Sequence, residues 1–275
     1  MCGAPVRGQA LRGGCVVERC ERCGHLERDL ERCPAHHRDL AYGGEPTLDR
    51  IRLDLTYREL VRDGVPSRVF EVGFGAGSML RRFLDDGAQV AGVDPDQLGI
   101  GVDELVRARG DLRTGGIEDV TDLPGEQDLV YGIHVLEHVT DPHAALRSSL
   151  ELLRPGGRAS FITPAGDSSG VDRYGAAWWM LEDPTHIRFF TADSLARAAE
   201  RAGFVDIEVR RLLLDSLSVD AASLARAVRP GERPRGVLGS RSVLAAAVAS
   251  VPLVIGQRVV APRSRPTLQL LARRP

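Results

Sequence analysis

Three glycines at alternate positions, Gly73, Gly75 and Gly77, close the apolar run Val69-Phe70-Glu71-Val72, and a second apolar run, Val90 to Val93, ends in Asp94. Glycine has no Cβ, so such a loop lets a ligand approach backbone groups that a side chain would screen. A carboxylate closing the next strand is a bidentate acceptor suited to the two hydroxyls of a ribose. Together these residues describe a site for a nucleoside-containing cofactor. The dinucleotide pattern G-x-G-x-x-G fits poorly, because Ser78 stands where its third glycine belongs. Glu71 opens the loop. A carboxylate there disfavours a pyrophosphate and suits a cofactor with a cationic amino group, held directly or through water.

A second group of chemically capable residues lies further on. His134, Glu137 and His138 follow the apolar run Leu129–Ile133, and His186 lies in Asp183-Pro184-Thr185-His186-Ile187-Arg188-Phe189-Phe190. His138 and His186 are the candidate bases. Trp178 and Trp179 are candidates to pack on an acceptor or to anchor their segment to the core. All five cysteines fall within the first 33 residues. Cys20, Cys23, Cys33 and His36 form C-x2-C-x9-C-x2-H, two close-spaced ligand pairs that suit tetrahedral zinc. Cys2 and Cys15 are alternative members of that set. Met1 to Gly14 has no apolar core, so no cleavable signal is expected, the location is expected to be cytoplasmic, and metal is favoured over disulfides.

The elements that must position these groups alternate. Thr47 to Gly64 reads as an amphipathic helix. Strand Arg68–Val72, helix Ser78–Asp86, strand Gln89–Asp94, helix Leu98–Ala108, strand Leu112–Ile117, strand Leu129–Ile133, helix Pro142–Leu153 and strand Arg158–Thr163 follow. Alternation of this kind implies a parallel sheet covered on both faces. Pro164 to Phe190 breaks the pattern and reads as a lid at the carboxyl edge of the sheet. Helix Ala192–Ala202, strand Phe204–Leu212 and strand Thr267–Ala272 complete the elements, with Leu213 to Pro266 interrupting the last connection.

E-x-G-x-G-x-G over Glu71 to Gly77, followed by Asp94, resembles the class I S-adenosylmethionine-dependent methyltransferases. Three segments extend the resemblance: Asp128 to Val139 with Leu136-Glu137-His138-Val139, Leu153-Arg154-Pro155-Gly156-Gly157, and Thr191 to Phe204 with Ala202-Gly203-Phe204. It covers roughly Thr47 to Leu212. The resemblance implies a Rossmann-like α/β fold with a mostly parallel seven-stranded sheet. It implies that Glu71, Gly73, Gly75, Gly77, Asp94, Glu118 and His134 surround S-adenosyl-L-methionine, Glu118 at the adenine and His134 where the methyl group emerges. Methyl transfer is a direct displacement, so the protein mainly aligns the reactants and excludes water. A base is needed only when the acceptor is a hydroxyl. The His186 segment resembles methyltransferases of polysaccharide and natural-product biosynthesis, which implies a sugar, glycolipid or natural-product acceptor and O-methylation. Cys20-x-x-Cys23-Gly24 resembles the second zinc knuckle that precedes some sugar C-methyltransferases, with Met1-Cys2-Gly3 as a remnant of the first.

Three regions result: a Cys/His segment at 1–45, the cofactor-binding core at 46–212, and a basic, partly apolar region at 213–275. Lysine is absent and all 36 basic residues are Arg. Residues 1–40 carry seven Arg against six acids and residues 212–275 ten Arg against three, so with a chain total of −2 the middle is −10 (−2 − 1 − 7). An acidic core is a poor surface for a nucleic-acid backbone, which counts against an RNA methyltransferase. A cofactor-binding scaffold without turnover is the non-enzymatic alternative. Val243 to Gly256 is a 14-residue apolar run between Arg241 and Arg258. It is shorter than the roughly 20 residues of a membrane span, so a core helix or a peripheral membrane contact through 213–265 is expected.

Overall fold

The computed structural model describes residues 2–35, 46–96, 99–123, 125–228 and 241–275. Strands β1 (Val6–Ala10), β2 (Val16–Cys20) and β3 (Leu26–Glu27) open the chain. Helix α1 (Pro46–Leu60) precedes the alternating core: β4 (Arg68–Val72), α2 (Ser78–Asp85), β5 (Gln89–Asp94), α3 (Glu104–Arg109), β6 (Asp111–Thr114), β7 (Gln127–Ile133), α4 (Pro142–Leu152) and β8 (Leu153–Pro164). Then come α5 (Ser169–Tyr174), β9 (Arg188–Phe189), α6 (Ala192–Ala202), β10 (Val205–Arg211), α7 (Val219–Val228), α8 (Arg241–Val260) and β11 (Thr267–Arg273).

The main sheet has seven strands in the order β10-β11-β8-β7-β4-β5-β6. The five from β8 to β6 are parallel, and β11 runs antiparallel between β8 and β10. Strand order reverses between β4 and β7. In open α/β sheets the crevice beyond the carboxyl ends at such a point is where ligands bind. Side chains alternate across the sheet. Phe70, Val72 and Val130 pack with α4 and α6 on one face, and Val69, Leu129 and Tyr131 pack with Leu80 and Phe83 of α2 on the other. Helix ends are set locally. Asp141 caps α4 by accepting from the His143 and Ala144 amides, and Thr191 and Ser194 cap α6 reciprocally.

Four departures from the sequence reading have physical causes. Strand Leu112–Ile117 stops at Thr114, because Gly115 turns the chain at φ 143° and Ile117–Asp119 forms a 3-10 turn. The helix expected from Leu98 starts at Glu104, where Asp103 accepts from the Leu105 and Val106 amides; Leu98 itself lies outside the described residues. The N-terminal segment is an antiparallel sheet, β1-β2-β3, that continues into β9 from the lid. The run Val243–Gly256 lies within α8, which packs on α7 above the cleft rather than on the outer face of the sheet.

Candidate functional site

The loop after β4 and the turn after β7 meet at the switch point. Gly73 has φ 74°, and a Cβ there would stand 2.7 Å from Val135 Cγ2. Gly75 also has positive φ, and its amide donates to Asp94 Oδ2 at 2.8 Å. The Asp96 amide donates to Asp94 Oδ1 at 2.8 Å. Each carboxylate oxygen thus keeps an acceptor site for a ribose hydroxyl. Gly73, Gly75, Asp94, Glu118 and His134 line one cavity of about 1250 Å³. That set of donors and acceptors fits an S-adenosyl cofactor. Gly77 does not line the cavity; it begins α2 at φ 73°, packed near Val102 and Val106. Glu71 does not line it either. It shares the face of Val69, is buried, and accepts from the Tyr131 hydroxyl at 2.9 Å. Burial, opposed by that hydrogen bond, pushes its carboxyl well above the ordinary range.

Beyond β7, His134 takes a left-handed φ of 57° and sits between two carboxylates. Its Nδ1 is 3.1 Å from Glu137 Oε1 and its Nε2 3.6 Å from Asp215 Oδ2. Burial opposes the imidazolium, but the ion pair with Asp215 and the hydrogen bond to Glu137 outweigh it and raise His134 to about 9. Glu137 is fully buried and would rise on that account; His134 instead holds it below the ordinary value. Glu137 also accepts from the Thr163 hydroxyl at 3.0 Å, and its carbonyl accepts from the Ile187 amide at 3.1 Å. Glu137 thereby ties the segment of His186 to the sheet, its carboxylate on Thr163 and its backbone carbonyl on Ile187.

His138 and His186 come together at the cavity wall, ring centroids 4.6 Å apart. His138 Nδ1 is 2.7 Å from the Thr185 hydroxyl, which is 2.6 Å from Asp183 Oδ1. The Thr185 amide donates to the same Asp183 oxygen at 2.8 Å. One hydroxyl proton serves one acceptor, and a carboxylate only accepts. Thr185 therefore donates to Asp183 and accepts from His138 Nδ1–H, which leaves His138 Nε2 basic. His186 is fixed the same way, donating from Nδ1 to the Met180 carbonyl at 2.7 Å. Burial, with His138 beside it, lowers His186 to about 4. Trp178 is buried in the apolar cluster under the N-terminal sheet, whereas Trp179 reaches the cavity wall.

Among the described residues two groups of side chains converge closely enough to hold a metal. Glu137, His138 and His186 bring ligand atoms within 4.8 Å of one another, as do Cys2, Cys20 and Cys23. The zinc set read from the sequence needs correcting. Cys33 is joined to Cys15 in a disulfide with Cα atoms 4.5 Å apart, because β2 and the turn after β3 bring these two together. Cys15 is likewise removed from the set, and His36 lies outside the described residues.

Arg52, Thr185 and Asp183 also line the cavity, and Asp215 stands behind its rim. Sequence reasoning missed them. Thr185 and Asp183 carried a signal, since a hydroxyl and a carboxylate flank His186. Asp215 carried none, because it meets His134 only through the fold.

The chain matches a family model described as a methyltransferase domain over residues 45–209. The ubiquinone biosynthesis O-methyltransferase of Chromobacterium violaceum is 31% identical over 167 residues, 57% of this chain and 71% of that protein. That of Idiomarina loihiensis is 28% identical over 161 residues, 54% and 66% of the two chains. Among solved structures, Haemonchus contortus phosphoethanolamine N-methyltransferase 2 in complex with S-adenosyl-L-methionine superposes with a TM-score of 0.57 at 19% identity, over 81% of this chain and 52% of that one. The [4+2]-cyclase SpnF gives 0.52 at 22% identity, over 88% and 89%. These structures speak to the fold, and this chain spans about half of the Haemonchus protein's length. The family model covers more than half of the chain, its sheet turns at the cofactor cleft, and the chain belongs to the class I S-adenosylmethionine-dependent methyltransferases.

Proposed function

We propose that the protein methylates a hydroxyl oxygen on a small acceptor that carries an apolar portion. The observation that carries this reading is the line Asp183–Thr185–His138, which leaves a basic nitrogen on a residue of the cavity wall. A hydroxyl acceptor needs its proton removed as it attacks, and an amine needs much less help. The relatives from C. violaceum and I. loihiensis bear the name O-methyltransferase, which supports the same choice.

S-adenosyl-L-methionine, when bound, supplies a methyl group on a positively charged sulfur. Gly73 and Gly75 give it access to backbone, Asp94 would take the ribose hydroxyls and Glu118 would face the adenine. Arg52, Arg107 and Arg113 are the cations that line the cavity among the described residues. Glu71 acts in this reading through the loop it supports. His138 Nε2 takes the acceptor proton, with Thr185 and Asp183 positioning its ring. His186 and Trp179 shape the wall and exclude water.

Ile51, Leu214, Leu217, Val248, Val251 and Pro252 line the same cavity and suit a lipid-like or prenyl portion of the acceptor. The outer side of α8 supports delivery from a membrane surface: Leu253 is 76% and Val260 82% exposed. Among the described residues no helix is long and apolar enough to cross a membrane. The arginines that precede this helix in the sequence, Arg229, Arg233 and Arg235, lie outside the described residues. Work at the cytoplasmic face of a membrane is part of the reading. Zinc has a structural place at the N-terminal thiols and no part in methyl transfer.

The test is transfer of labelled methyl from S-adenosylmethionine to phenols, catechols and glycosides, each with and without a prenyl or alkyl tail. Label on oxygen, with tailed acceptors preferred, supports the reading. Label on nitrogen or carbon alone contradicts it.

A further inference from the structure

Cys2, Cys20 and Cys23 form a cluster that methyl transfer does not use. None of the three lines the cofactor cavity. Their sulfur atoms lie within 4.8 Å of one another, and Cys2 Sγ is 3.2 Å from Cys20 Sγ. Cys20 ends β2, and the turn after it closes tightly. The Gly24 amide donates to the Cys20 carbonyl at 3.0 Å, and the Cys20 amide to the His25 carbonyl at 2.9 Å. Gly24 sits at φ 68°, a conformation that glycine adopts without strain. Three backbone amides face the sulfurs, those of Ala4 and Cys23 at Cys2 and that of His25 at Cys23. Cys20 and Cys23 are buried and Cys2 half-buried. A disulfide would engage two of the three and leave the third closed in beside it.

We propose that Cys2, Cys20 and Cys23 bind one zinc ion as thiolates. Zinc–sulfur bonds of about 2.3 Å in a tetrahedron put sulfurs about 3.8 Å apart, and these three already lie within 4.8 Å of one another. Three thiolates select a soft or borderline ion, and zinc is the one that brings no redox chemistry. Cys20 opens on a groove that Arg7, Gln9, Arg19 and Arg22 also line. Glu21 lines it as well, so three guanidinium groups against one carboxylate leave the groove net positive, which suits the net negative charge of three thiolates on a divalent ion. No fourth His, Cys, Asp or Glu joins the cluster among the described residues, and a water molecule would complete the shell.

The ion would act as a pin for the acceptor wall. The Thr191 hydroxyl, which caps α6, donates to the Cys23 carbonyl at 2.6 Å. Leu26 and Glu27 pair with Phe189 and Arg188, directly after His186. Buried Arg28 donates to the carbonyls of Leu181, Asp183 and His186. The knuckle therefore holds the segment that carries Asp183, Thr185 and His186, while Gly73, Gly75 and Asp94 stand on the main sheet.

Full-length protein purified under reducing conditions without chelator should contain one zinc per chain by elemental analysis. Mercurial titration of the thiols should release that zinc in step with their loss. Cobalt exchanged into the site should show thiolate charge-transfer bands. Cys2→Ser and Cys23→Ser should each lower zinc content at least tenfold, whereas Cys33→Ser should keep it. S-adenosylhomocysteine affinity should stay within about threefold of wild type after zinc removal, since Asp94 and the glycine loop lie apart from the pin. Metal-free protein under these conditions would overturn the proposal, as would a Cys2–Cys20 disulfide found by mass spectrometry or loss of zinc from Cys33→Ser. The cobalt spectrum of wild-type protein keeps the test decisive where a variant fails to fold.

Discussion

His138 Nδ1 and the Thr185 hydroxyl, 47 residues apart in the chain, lie 2.7 Å from one another. This contact fixes which ring nitrogen carries the proton, because Thr185 is committed as a donor to Asp183 at 2.6 Å. His138→Ala should lower kcat by about 10²–10⁴-fold with cofactor affinity nearly unchanged. Thr185→Val should cost less, and Thr185→Ser should recover most of the loss, because serine keeps the hydroxyl. The kcat–pH profile separates positioning from folding: Thr185→Val should move its acidic limb, while a merely structural role would leave the limb in place.

His134 provides a pH dependence whose sign is fixed. Its value rises from 6.5 to about 9 on folding, so its contribution to stability is complete below pH 6.5 and is lost as pH rises through 9. Asp215 moves the opposite way: burial alone would raise it, yet the ion pair with His134 holds it below its ordinary 3.8. Its contribution is therefore present above that value and lost in acid. Measured against the base-catalysed intrinsic rate, the protection of the amide hydrogens in 212–219 should be lower above about pH 9 than at pH 7. Asp215→Asn should abolish that difference and destabilise the protein by about 3 kcal/mol, read from denaturant unfolding.

Gly73→Ala should damage the cofactor site twice over. The new Cβ would meet Val135 at 2.7 Å, and φ 74° strains any side chain. Together these should cost about 2–4 kcal/mol in stability and binding. Adding Val135→Ala should recover the steric part and leave about 1 kcal/mol of backbone strain, measurable by calorimetry with S-adenosylhomocysteine.

The exposed apolar side of α8 should bind anionic vesicles. Leu253→Gln with Val260→Gln should weaken co-sedimentation without changing the rate on a water-soluble acceptor, because neither residue lines the cavity. Intact protein that stays in the supernatant at low salt would leave α8 as cavity wall alone.

The cofactor half was legible in the sequence because it is local. Gly73, Gly75 and Asp94 sit on one β-α-β unit, whose apolar runs and glycines dictate their own strand and turn. Thr267–Ala272 was legible as the last strand for the same reason, a short apolar run at the end of the chain. The acceptor half depends on topology. Asp215 reaches His134 only because α8 folds back and Arg258 donates to the carbonyls of Leu213, Asp215 and Ser216. Cys33 misled because spacing alone cannot tell a ligand from a disulfide partner, and Cys15 meets it across the hairpin. Glu71 was placed at the cofactor by its position beside the glycines. Strand alternation turns its carboxyl toward Tyr131 and the α2 face instead.

Titration of the protein with S-adenosylhomocysteine in a calorimeter, wild type beside Asp94→Ala, tests the central claim most directly. The wild type should bind one equivalent. Asp94→Ala should lose about 1.5–3 kcal/mol, the worth of a charge-assisted hydrogen-bond pair to the ribose. No heat with the wild type, or equal affinity in the two proteins, would contradict the cofactor site described.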